Sequence, residues 1–73
     1  MVQFSFGARL RALRKQSGLS PKRVATLLDC SPRTLARWER GDFEPNVATI
    51  AKLAALYGVS AHYLITGENE NAA

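Results

Sequence analysis

Cysteine, histidine and long apolar runs are all scarce in this 73-residue sequence, and each scarcity closes off a class of function. Cys30 is the sole cysteine, which rules out an internal disulfide and reads as a buried structural thiol rather than a redox or metal ligand. His62 is the sole histidine and has no partner at metal-ligand spacing, so it reads as a surface residue. Glu39 has no nucleophile, base or oxyanion group to accompany it. No enzyme, metal or cofactor is therefore expected. No apolar run approaches the roughly 18 residues of a membrane span. The opening Met1-Val2-Gln3-Phe4-Ser5-Phe6 lacks the basic-then-apolar order of a signal peptide. A reducing, cytoplasmic setting is the expectation. The length allows one domain, burying roughly 60% of its unfolded surface, with little room for a deep substrate cavity.

Charge of one sign is scarce in the first part of the chain. Residues 1–40 hold nine basic side chains against only Asp29 and Glu39, nine minus two or +7. From residue 41 on, Lys52 faces Asp42, Glu44, Glu68 and Glu70, one minus four or −3. The positive half would attract a polyanion; equally, it could be a solubilising surface.

Helix start and stop signals recur along the chain. Ser5 can cap a first helix with Phe6, Leu10 and Leu13 at i, i+4 and i+7, leaving Arg9, Arg11 and Lys15 off that stripe. Gly18 suits the left-handed residue past its end. Ser20-Pro21 opens a second helix with Val24, Leu27 and Leu28 as its apolar face. Ser31-Pro32 repeats the same start, so the second helix must be short, about eight residues. The third helix runs to about Arg40 and stops at Gly41, before a loop of Asp42-Phe43-Glu44-Pro45. Asn46 caps a fourth helix with a stripe of Val47, Ile50, Leu53, Ala54 and Tyr57, ended by Gly58. Ser60 caps a short fifth with Tyr63, Leu64 and Ile65, closed by Gly67. The expected fold is all-α, five short helices in one domain over 1–68, with 69–73 a frayed polar tail.

The third helix faces two ways. At about 100° per residue, Leu35 and Trp38 share one side, about 60° apart. Arg33, Arg37 and Arg40 gather on the other, with Ala36 beside them. Such a helix fits a major groove about 12 Å wide, where arginine pairs bidentately with guanine. An ordinary solvated face has the same periodicity, so the pattern alone leaves both readings open.

Residues from about Phe6 to Glu68 resemble the Xre family, the phage repressor and Cro type of helix-turn-helix domain. Ser31 through Gly41 (SPRTLARWERG), Pro45, and Tyr57-Gly58-Val59-Ser60 with Tyr63-Leu64 carry that resemblance. It implies a compact five-helix fold in which the second and third helices form the helix-turn-helix. It implies a DNA-binding transcriptional regulator of repressor type, a homodimer on a roughly palindromic double-stranded operator. Base contacts would come from Pro32, Arg33, Thr34, Ala36 and Arg37, and phosphate contacts from Ser20, Lys22, Arg23 and Arg40. Ala25 would let the two helices cross closely, and Val24, Leu28, Cys30, Leu35 and Trp38 would be apolar anchors. The resemblance further implies an ion pair between Arg14 and Glu39.

The sequence departs from that pattern in three places. Prolines stand at 21 and 32, where relatives often have Gln, so readout falls on Arg33, Thr34 and Arg37. Asp29 occupies a turn position that is usually Gly and tends to need positive φ, at a cost of roughly 1 kcal/mol. The loop after the third helix is acidic rather than basic. These features also suit a rival reading, an antitoxin-like or accessory protein-interaction module on the same fold with weak or no DNA binding.

Overall fold

The computed structural model describes residues 5–68; the expected tail at 69–73 lies outside them. Its elements are α1 (Phe6–Gln16), α2 (Pro21–Leu27), α3 (Pro32–Arg40), α4 (Val47–Tyr57) and α5 (Ala61–Thr66). Each helix starts where the sequence offers a side-chain oxygen. Ser5, Ser20, Ser31, Asn46 and Ser60 accept the backbone N–H of Ala8, Arg23, Thr34, Thr49 and Tyr63 respectively. Each cap satisfies one orphan donor and contributes about 1 kcal/mol. Pro21 and Pro32 stand at first helical positions, where the missing N–H costs nothing.

Helix ends are equally regular. α2 closes with Asp29 N–H donating to Thr26 O and Cys30 N–H to Ala25 O, at 3.2 and 2.9 Å. This paired closure requires a left-handed residue between helix and turn. Asp29 takes that conformation, with φ 57°. The turn then leads within three residues into α3.

The core is one cluster. Leu10, Leu53, Ala54 and Leu64 are buried, with Phe6, Leu13, Leu28, Trp38, Ile50, Tyr57 and Val59 packed around them. Val24, Ala25 and Leu35 are buried too, where α2 packs on α3. α1 packs on α3 and α5, and α4 packs on α5. Among the described residues no helix is long and apolar enough to cross a membrane.

Four apolar residues named from the sequence stand further out than a core position would place them. Leu27 and Ile65 are exposed, at 47% and 55%. Each is next in sequence to a leucine that faces inward, and neighbours on a helix diverge by about 100°, so a narrow contact admits only one of the two. Val47 is 83% exposed. It shares the side of Ala54 but stands two turns up the axis, roughly 10 Å, in the first turn of α4. Cys30 is half-buried rather than fully enclosed, because the turn between α2 and α3 lies at the surface.

Gly7 has a role that periodicity did not reveal. It is buried in the first turn of α1. A Cβ there would stand 2.5 Å from Glu39 O and 2.6 Å from Trp38 O. α1 therefore crosses the last turn of α3 backbone to backbone, and only glycine allows that approach.

Candidate nucleic-acid interface

α3 is fixed from behind before it can present anything in front. Leu35 is fully buried and Trp38 packs on the core. Glu39, one position on, meets Arg14 of α1 in a bidentate pair. Arg14 Nε donates to Glu39 Oε2 at 2.8 Å and Nη2 to Oε1 at 3.1 Å. The two side chains are only 11% and 9% exposed. Arg14 Nη1 also donates to Leu19 O at 3.3 Å. The hydrogen bonds that Arg14 donates to Glu39 raise its pKa above the ordinary arginine value, against the opposing effect of burial. Two charges are thus held in fork-to-fork geometry with their charge compensated.

Tyr57 stands beside this pair. Its hydroxyl is inaccessible and has no hydrogen-bond partner among the described residues. Burial first, and the Glu39 carboxylate second, push its pKa up to about 12, with Arg14 pulling the other way.

The front of α3 carries the candidate readers. Pro32, Arg33 and Ala36 are exposed. Thr34 is half-buried, and its hydroxyl lies 3.0 Å from that of Ser31. Arg37 is half-buried, its guanidinium over the Phe43 ring at 5.4 Å. Arg40 Nη2 donates to Asp42 Oδ2 at 3.0 Å, in an exposed pair. The candidate phosphate contacts of α2 sit at its start. Lys22 and Arg23 are exposed, while the Ser20 hydroxyl already accepts the Arg23 N–H at 3.1 Å. Burial, and then Asp29, raise the Cys30 thiol pKa, so it stays protonated and a poor nucleophile.

Sequence reasoning missed two arrangements, one at α5 and one in the loop after α3. Arg9, off the stripe of α1, turns to the end of α5 and donates to Leu64 O at 2.9 Å and Ile65 O at 2.7 Å. A cation at a helix C-terminus is favoured there, but nothing in the spacing announces a contact 55 residues away. The partners that the loop supplies, Phe43 to Arg37 and Asp42 to Arg40, lay within reach of a sequence argument. Each is a short step past the helix end, yet both read only as loop residues.

Residues 5–64 match the family described as "Helix-turn-helix domain". The chain is 36% identical over 62 residues to the SPbeta prophage-derived HTH-type transcriptional regulator YonR of Bacillus subtilis. That match takes in 85% of this chain and 57% of the relative, so the chain spans about half the length of the curated relatives it matches. The structure is similar to the P22 c2 repressor in complex with a synthetic operator, with a TM-score of 0.85 at 27% identity, covering 90% of this chain and 100% of that one. It is also similar to Fe(II) HppE, with a TM-score of 0.75 at 30% identity, over 82% of this chain and 32% of that one. The same helical unit therefore also occurs within a larger protein.

Proposed function

Because the chain belongs to the helix-turn-helix domain family, of the phage-repressor kind, we propose that it is a sequence-specific regulator of transcription that binds duplex DNA and reads the major groove with α3. The observation that carries this reading is the division of α3 into an anchored inner side and an outer side bearing Arg33, Ala36 and Arg37. A groove-reading helix must be both rigidly seated and sterically open, and small Ala36 lets the helix approach base edges.

In this reading Pro32, Arg33, Thr34, Ala36 and Arg37 face the bases. Arg33 and Arg37, one turn apart, supply the bidentate donors. Ser20, Lys22, Arg23 and Arg40 stand toward phosphate. The protein acts in the cytoplasm as a homodimer. Two α3 helices about 34 Å apart meet a roughly palindromic operator, and occupancy blocks or recruits polymerase.

Selection of bound duplexes from a random pool at physiological salt tests the reading. An enriched half-site, repeated at one spacing, is the expected result. Arg33→Ala then costs about 1–3 kcal/mol of binding and relaxes one base position. Lys22→Ala weakens all sequences alike and flattens the salt dependence. Recovery of no preferred sequence sinks the proposal. It favours instead a protein-interaction module, for which Phe43, 58% exposed beside α3, is the supporting feature.

A further inference from the structure

Two of the three arginines on the outer side of α3 are held by the loop that follows it, and by opposite chemistry. Arg37 lies over the Phe43 ring. A ring offers a π face and no lone pair, so the in-plane N–H donors of Arg37 stay available for a base edge. Arg40 gives an Nη2 donor to the Asp42 carboxylate at 3.0 Å. A carboxylate uses the donor and cancels the charge. Arg33 has neither kind of partner among the described residues. The loop thus spares the two arginines placed to read bases and occupies the one placed toward phosphate.

Resting on the DNA-binding reading above, we infer that Asp42 is a specificity-determining residue: by holding Arg40 it keeps affinity for DNA of arbitrary sequence low relative to affinity for the operator. Binding to arbitrary DNA is made almost wholly of phosphate contacts. A complex without base contacts can reorient to use any free cation. On an operator the base contacts fix the pose, so one freed cation counts for less. Withholding Arg40 therefore lowers the first affinity more than the second. The opposing loop charge also distinguishes Asp42 from Glu44. Both are exposed carboxylates, but only Asp42 is paired with an arginine among the described residues.

The test is a set of anisotropy titrations of the full chain against a random-sequence duplex and against the duplex recovered by selection, over a range of salt. Asp42→Asn is expected to tighten binding to the random duplex by roughly two- to fivefold at low salt, the range a surface pair allows. It should steepen the log K against log salt slope by about 0.9, one additional phosphate contact. The selected duplex should gain less. The gain should vanish in the Arg40→Ala background, and Glu44→Gln, an equal change of net charge, should not reproduce it. Thermal melts of each variant confirm that it is folded. An unchanged slope in Asp42→Asn overturns the inference. So does an equal effect from Glu44→Gln, or a gain that survives Arg40→Ala. If the unaltered chain binds neither duplex, the DNA-binding reading fails and this inference fails with it. If it prefers the selected duplex and Asp42→Asn changes nothing, the inference alone fails.

Discussion

Replacing Glu39 with alanine is expected to remove about 3 kcal/mol of folding stability, a large share of the roughly 4–11 kcal/mol available to a chain of this size. The magnitude follows from what the substitution leaves behind. Arg14 keeps its charge, because a guanidinium stays protonated at any accessible pH. It loses both carboxylate hydrogen bonds and retains only the long contact to Leu19 O, at 3.3 Å. Stranding one partner of a buried pair costs about 3–5 kcal/mol. The remaining 11% exposure, and the reach of the arginine stem toward water, place this case at the lower end. A loss of about 3 kcal/mol lowers the melting temperature of a domain this small by roughly 12–24 °C, well within the resolution of a circular dichroism melt. The double replacement Arg14→Met with Glu39→Leu discriminates the cause. It removes both charges and fills the space with apolar atoms, so it should return to within about 1 kcal/mol of the unaltered chain. A Glu39→Ala protein as stable as the original refutes the reasoning. So does a double variant as unstable as the single one, because the damage would then lie in lost packing rather than in an unpaired charge.

Three further perturbations test other parts of the structure. Gly7→Ala should destabilise by about 1–3 kcal/mol in urea titration, since a methyl group 2.5 Å from a backbone oxygen forces α1 away from α3. A neutral result would mean that the two helices are not held at that crossing. Tyr57→Phe deletes a hydroxyl with no partner among the described residues, so it should be neutral or stabilising near pH 7, by up to about 1 kcal/mol. The same tyrosine gives a pH signature. Its pKa is higher folded, about 12, than its ordinary 10, so its contribution is intact below pH 10 and is lost as pH rises through about 12. The unaltered chain should therefore lose roughly 2 kcal/mol more than Tyr57→Phe between those values, and parallel curves would contradict the assignment. At position 29, where φ is 57°, Asp29→Gly should melt at or above the unaltered chain, by up to about 1 kcal/mol, and Asp29→Val should fall below it by more than about 1 kcal/mol. An Asp29→Val protein that melts with the original would show the turn to be unstrained.

The parts of the fold legible in the sequence are those governed by local physics. Ser20-Pro21 and Ser31-Pro32 state a cap oxygen and a first helical residue in two letters, and both caps form as those letters imply. Leu35 and Trp38 share a face because helical geometry leaves them no alternative, and both meet the core. Where two apolar residues adjoin, as at Leu27-Leu28 and Leu64-Ile65, periodicity cannot decide which one turns inward. That choice belongs to the neighbouring helix, as the exposure of Leu27 and Ile65 shows. Contacts between distant segments left no local trace. Arg14 and Glu39 are 25 residues apart, and only the family resemblance implied their pairing. Gly7 could have raised the question, because glycine inside a helix costs about 1 kcal/mol unless something needs the space. The identity of that something, the end of α3, was not available from the sequence.

One local turn and two contacts between distant segments aim the candidate interface. The start of α3 is set by the turn through Asp29, closed on α2 by two backbone hydrogen bonds. Its end is set twice over, by the backbone approach at Gly7 and by the Arg14–Glu39 pair. Every one of these constraints acts on the backbone or the inner side of the helix. None draws on the side chains of Arg33 or Ala36, which stand exposed on the outer side. On the proposed DNA-binding reading, stability and recognition fall to different residues of the same nine-residue helix. On the same reading, such a division would let the outer residues vary with the operator while the inner ones keep the helix in place. The exceptions are Arg37 and Arg40, each tied to a residue of the following loop. At those two positions a change of side chain also changes a contact with the loop. If the outer side of α3 reads DNA as proposed, the loop, rather than the core, is where affinity and stability meet.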